Sequence, residues 1–244
     1  MPSNARTDRT ADPDTQRRGQ VTSQASLATT DCPGRVLALV VVIGAVAAYL
    51  KLQPTPSPLV LPTTGVSAPA GVLGGTWDVT AGSVAGFRLQ ETFIGLGNDV
   101  VGRTSDVTGT ISVSDNRVIS ATLHIDLTTI KVGGKTEPQL ATSFDTRKYP
   151  NATFSLSRPV MLSSTFASGA TIMETATGRL AMHGVSREVT VAVTARRNGA
   201  ALQVVGTIPI AFSDWAIKEP GGFGFLGSLA NHGVAEFLLV LNRH

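Results

Sequence analysis

Cysteine is all but absent, Cys32 being the only one in 244 residues. No intrachain disulfide can form and no cysteine-based zinc or redox motif is possible, so core burial alone must hold the folded part together. Cys32 stands just before an apolar run, a position that suits reversible acylation, although an incidental free thiol is the plainer reading. A bacterial lipoprotein cysteine would follow such a run instead.

Charge is scarce as well. Residues 1–70 carry six Lys or Arg against four Asp or Glu, which leaves fourteen against thirteen for residues 71–244. The folded part is therefore nearly neutral, with no basic stripe interleaved with aromatics. The electrostatic attraction that dominates phosphate binding is missing, which argues against a nucleic-acid partner. Aromatics make up only 5% of the chain. The Glu, Lys and Gln residues that cover helix surfaces are few, whereas Gly, Thr, Val and Ser are plentiful, and this balance favours strands joined by turns.

Reactive motifs are missing too. None of the four histidines, His124, His183, His232 and His244, lies two or four residues from another, as a metal site on one strand or helix would need. There is no G-x-S-x-G elbow, H-E-x-x-H, P-loop or strand-linked G-x-G-x-x-G, and "GLG" at 95–97 and "GGFGFLG" at 221–227 read as loops. No metal, cofactor or catalytic residue is expected. An enzyme acting on lipid would have to use Glu91, His183 or Asp214, which are far apart in sequence and accompanied by no nucleophile signature.

What is present divides the chain into four parts. Residues 1–35 are polar, without apolar periodicity, and read as a disordered cytoplasmic tail. Residues 36–52 form an apolar segment whose unbroken core, Val36 to Leu50, spans ~22 Å as a helix. That is short of the ~30 Å hydrocarbon core, but Lys51 can snorkel and Leu52 can extend the span. A cleavable signal is the competing reading, with Ala45 and Ala47 resembling its cleavage site; the long preceding tail favours an uncleaved transmembrane anchor. Five arginines before the segment and one lysine after it place the N-terminus in the cytoplasm and the rest outside. Residues 53–74, with prolines at 54, 56, 58, 62 and 69, read as a semi-rigid spacer.

From residue 75 to 244 the pattern alternates. Ile119, Ala121, Leu123, Ile125 and Leu127 share one face of a strand while Ser120, Thr122, His124 and Asp126 share the other. Similar runs at 76–79, 84–93, 109–113, 152–157, 177–183, 188–197, 202–212 and 235–243 predict an all-β antiparallel barrel or sandwich of about eight strands. Asn198-Gly199 predicts a two-residue hairpin, and "EPQLATSFDTRKYP" predicts one short helical turn ended at Tyr149-Pro150. Small inward residues such as Ala85, Ala121, Val191 and Val193 suit either a ligand cavity or a packed core, and periodicity does not choose between them. Glu91 continues the inward face of its strand, either as a polar contact for a ligand or as a wet residue at the rim.

Several stretches resemble the YceI-like family of lipid- or polyisoprenoid-binding proteins: "GTWDVTAGSVAGFRL", "LHIDLTTIKVG", "SFDTRKYPNATFSL", "GRLAMHGVSREVTVAV" and "IAFSDWAI". The resemblance runs from about Gly75 to Arg243. It implies a lipocalin-like barrel with an elongated cavity for an isoprenoid chain, export from the cytoplasm, no catalytic residues and, in some members, a homodimer. The cavity lining then expected is Phe87, Leu89, Glu91, Phe93, Leu123, Ile125, Leu127, Phe154, Leu156, Leu180, Met182, Val191, Val193, Ile210 and Phe212. Lys135, Thr136 and Glu137 stand where many members have an Arg-Asp pair, and Glu91 where a basic residue or histidine is frequent, so a head-group contact of that kind is not carried over. His183 and Arg187 read as structural. The competing reading is an adhesion or scaffold module with a packed barrel.

Overall fold

A computed structural model of the chain describes residues 55–63, 72–93, 96–218 and 227–244. The strands are β1 (Gly75–Val79), β2 (Val84–Phe93), β3 (Leu96–Thr104), β4 (Val107–Ser114), β5 (Arg117–Asp126), β6 (Lys131–Val132), β7 (Asn151–Leu156), β8 (Val160–Met161), β9 (Ile172–Met182), β10 (Val185–Asn198), β11 (Ala201–Ala211) and β12 (Gly227–Arg243). One short helix, α1 (Pro138–Ser143), lies between β6 and β7. The anchor and tail expected at 1–52 fall outside the described residues. Among the described residues no helix is long and apolar enough to cross a membrane.

All strand pairings are antiparallel, and β1 closes the sheet by pairing with both β4 and β12. Because β1 leads into β2 along the same edge of β12, and β3 leads into β4, the wall counts eight strands around a closed barrel. Closure leaves few free edges and gives each strand an inward and an outward face. In β5 Ala121 and Leu123 are buried while Thr122 and His124 are exposed.

Expectations from the sequence need correction at several points, and Ile119, expected on the inward face of β5, is 51% exposed because the β4–β5 register shifts beside it. "GLG" is not simply a loop, since Leu96 and Gly97 open β3 and pair with Phe93 and Thr92. Asn198 and Ala201 pair with each other, so the β10–β11 turn is centred on Gly199 (φ 61°) and Ala200 rather than on Asn198-Gly199. The helical turn ends earlier than Tyr149-Pro150: α1 stops at Ser143 and Asp145 adopts a left-handed φ of 45°.

The two ends of the barrel differ. At the lower end, where β4 turns into β5 and β10 into β11, Trp77, Phe166 and Leu241 are 1%, 2% and 0% exposed. The Trp77 Nε1–H donates to the Leu73 carbonyl at 2.9 Å, so the ring fills the floor with its polar atom satisfied. The upper end, where β2 turns into β3 and β9 into β10, is covered by the 127–150 connection with α1 and by the short helical turn Phe212–Trp215.

The prolines at 56, 58 and 62 lie in a segment held against the barrel. Arg88 donates to the Pro56 carbonyl (2.7 Å), Arg103 to Ser57 (2.5 Å) and Arg196 to Pro62, so residues 55–63 lie along the outer wall. Proline has no N–H to add to a ladder, and such a segment binds through its carbonyls instead.

Candidate functional site

Beneath the upper end lies a cavity of about 150 Å³. Its lining comes from β2 (Ala85, Phe87, Leu89), β5 (Leu123, Ile125), β7 (Ala152, Phe154), β9 (Ala176, Leu180, Met182), β10 (Val191, Val193), β11 (Ile208, Ile210) and β12 (Ala235, Phe237, Leu239). Leu127, Ile130, Phe144 and Phe212 close it from above. Glu236 is the one charged residue of the lining, but its carboxylate faces the outer wall and binds Arg103 at 2.7 Å. The interior therefore offers no charge and almost no hydrogen-bonding group to a guest. A dry apolar cavity of ~150 Å³ accepts a benzene-sized molecule, and leaving it empty costs about 3–4 kcal/mol relative to a filled core.

Space exists because small residues face large ones. A side chain at Gly178 would bring Cβ to 2.2 Å from the Phe154 ring, one at Gly102 to 2.5 Å from Phe87, and one at Gly206 to 2.4 Å from Phe237. These three rings lean onto glycines in the wall, which leaves the axis free. Above them Phe144 packs on Phe87 with centroids 5.6 Å apart and meets Phe212 edge-on at 6.4 Å. A second void of about 20 Å³ lies behind Phe144, under Leu140 and Ala141 of α1.

Twelve of the residues expected at the cavity line it: Phe87, Leu89, Leu123, Ile125, Leu127, Phe154, Leu180, Met182, Val191, Val193, Ile210 and Phe212. Leu156 shares the inward face of β7 but is absent from the lining and packs against the buried core. Glu91 is also outside the lining; it sits near the β2–β3 turn opposite Asn98, and partial burial raises its pKa above the ordinary 4.5. The side chain of Phe93 lies outside the described residues. Sequence reasoning did not include Phe144, Ile130, Phe237 and Leu239 in the lining. For Phe237 and Leu239 the alternation with Glu236 and Leu238 was available as a signal; for Phe144, which comes from a turn, no periodicity was.

The polar stretches of the sequence meet at the upper end in a supporting role. His183 and Gly184, with φ of 51° and 74°, form the tight β9–β10 turn, and His183 Nδ1 lies 3.0 Å from the Trp215 carbonyl oxygen. Arg187 Nε–H donates to the Asp214 carbonyl at 2.6 Å, and its guanidinium lies 3.4 Å from the Asp214 carboxylate. Tyr149 packs against His183 with ring centroids 5.0 Å apart and planes tilted by 55°, and it fills the space over Gly184. Together these contacts fasten the 212–215 turn, and with it Phe212, across the cavity. Arg147 and Lys148 remain exposed.

Among curated proteins none matches the sequence. Solved structures do. A polyisoprenoid binding domain from Saccharophagus degradans implicated in plant cell wall breakdown is 18% identical, with a TM-score of 0.51 over 69% of this chain and 98% of that one. Burkholderia cenocepacia BcnA is 21% identical, with a TM-score of 0.48 over 64% of this chain and 95% of its own. A Campylobacter jejuni YCEI protein is 13% identical, with a TM-score of 0.44 over 59% and 84%. The first of these likenesses supports the barrel fold. The YceI-like domain matches residues 77–234, well over half of the chain, and the protein belongs to the YceI-like family.

Proposed function

We propose that this YceI-like barrel is a lipid-binding protein that holds a polyisoprenoid or similar long apolar chain, acting as a carrier or sensor rather than as an enzyme. The observation that carries the reading is the cavity under Phe144 and Phe212, apolar throughout apart from a glutamate turned away from it. A guest there gains about 0.8 kcal/mol per buried methylene with no partner for a polar head group, so the head must stay at the upper rim. A chain longer than the present cavity requires Phe144 to swing from between Phe87 and Phe212, which would join the two voids. The description of the Saccharophagus domain as polyisoprenoid-binding points the same way.

The apolar segment 36–52 is the basis for reading the protein as exported and held at the cell membrane, N-terminus inside and barrel outside. A packed adhesion module is disfavoured by the unfilled interior. Catalysis at the rim is disfavoured by the engagement of His183 and Arg187 with backbone carbonyls. Native mass spectrometry of the protein purified from membranes tests the reading: one long-chain apolar lipid per barrel, released unchanged, is expected. An empty barrel that takes up no polyprenyl lipid, or a lipid returned chemically altered, would defeat it.

A further inference from the structure

Residues 55–63 cross the outer wall from one end of the barrel to the other. Thr55 Oγ1 reaches Asn98 Oδ1 at 3.5 Å near the upper end of β3. The Pro56 and Ser57 carbonyls accept from Arg88 on β2 and Arg103 on β3, and the Leu59 N–H points at Glu236 Oε2 on β12 at 3.5 Å. The Pro62 carbonyl accepts from Arg196 on β10, two residues from the lower hairpin. Three guanidiniums are thus turned onto main-chain carbonyls of one proline-rich segment. Glu236, 4% exposed, holds Arg103 at 2.7 Å and stands 3.7 Å from Arg88. Gly86 stands in register between Glu236 and Arg103, and a Cβ there would come within 2.0 Å of the Gly102 carbonyl oxygen, so the glycine lets β2 and β3 approach closely under the ion pair.

The direction of this strap sets where the preceding chain leaves the barrel. Thr55 is at the upper end, with the cavity, whereas the lower end is floored by Trp77, Phe166 and Leu241. Only Gln53 and Pro54 separate it from Leu52, the last residue of the apolar segment. A free tether over 53–74 would let the barrel wander by ~25 Å in any orientation. A two-residue tether reaches ~7 Å.

We infer that the strap is an orienting clamp that presents the cavity end of the barrel to the surface of the lipid bilayer, so that the guest passes between bilayer and cavity without crossing water. The inference rests on the reading of 36–52 as a membrane anchor and of the cavity as the lipid site. The full chain, with Cys32→Ser and a single fluorophore at Ser228→Cys (upper end) or Ala200→Cys (lower hairpin), is reconstituted into vesicles whose headgroups carry a nitroxide quencher. Quenching several-fold stronger at 228 than at 200 is expected. Inserting ten Gly-Ser residues between Leu52 and Gln53, which touches no barrel or strap residue, is expected to remove the difference. Equal quenching at both sites in a protein that floats with the vesicles overturns the clamp while leaving the anchor standing. A difference that survives the insertion also overturns it, because something other than the strap then orients the barrel. Failure to float defeats the anchor reading and the clamp together.

Discussion

Replacing Ala176 by leucine puts the cavity to a test of sign. Ala176 is buried on β9 and lines the cavity. The three added carbons bury about 2–2.5 kcal/mol of apolar surface if they enter empty space, less about 0.5–1 kcal/mol for rotamer ordering. The delipidated barrel should therefore gain about 1.5 kcal/mol. For a domain of this size about 2–4 °C accompanies each kcal/mol, so calorimetry of residues 53–244 should show Tm higher by about 3–6 °C. The same carbons stand where the lipid chain would lie, so lipid retained per barrel in native mass spectra should fall sharply. A packed interior predicts the opposite, since overpacking costs about 1–3 kcal/mol and lowers Tm. A lower Tm, or unchanged lipid occupancy in a stabilised variant, would refute the reasoning.

Other perturbations act on neighbouring parts of the same arrangement. Phe144→Ala removes the ring between Phe87 and Phe212 and should shift binding toward longer chains, at a loss of about 3 kcal/mol in urea unfolding, the low end for a phenylalanine because the ring is only half-buried; an unchanged chain-length preference would show that Phe144 does not limit the cavity. Gly178→Ala should destabilise by about 1–3 kcal/mol because its Cβ meets Phe154 at 2.2 Å, and Phe154→Leu in the same chain should restore part of that loss. Burial raises the Glu91 pKa, so the folded state holds this proton more tightly than the unfolded chain, and stability should fall as pH rises through and above 4.5. Glu91→Gln should flatten that part of the pH profile of the urea midpoint, and a profile identical to that of the unsubstituted protein would contradict the assignment.

The alternation of β5, β9 and β10 made the barrel and most of the cavity wall legible, because one inward face with one outward face is what a closed wall requires. β3 escaped for a physical reason. Its inward position 102 is a glycine on which the Phe87 ring rests, so the apolar residue that alternation would place there is absent. The first residues of β12 escaped likewise: Gly233 makes room for Leu89, and the ladder shifts register between Leu229 and Gly233. Glycines that accommodate a ring from another strand are written in that other strand, and only the fold brings the two together. The docking of 55–63 was hidden differently. Proline-rich composition reports an extended backbone with free carbonyls, whereas the arginines that receive it come from β2, β3 and β10. Glu236 gave the only hint, as a carboxylate within the apolar run of β12.

The central claim is that an apolar chain lies inside the barrel, and it is tested most directly by magnetisation transfer. Isotope-filtered nuclear Overhauser spectra of labelled protein with an unlabelled isoprenoid alcohol should connect the chain methyls to Leu123, Ile125, Val191 and Ile210, whose side chains line the cavity from three different strands. Contacts confined to outward-facing residues, or none at all in a protein that binds the alcohol, would contradict the account.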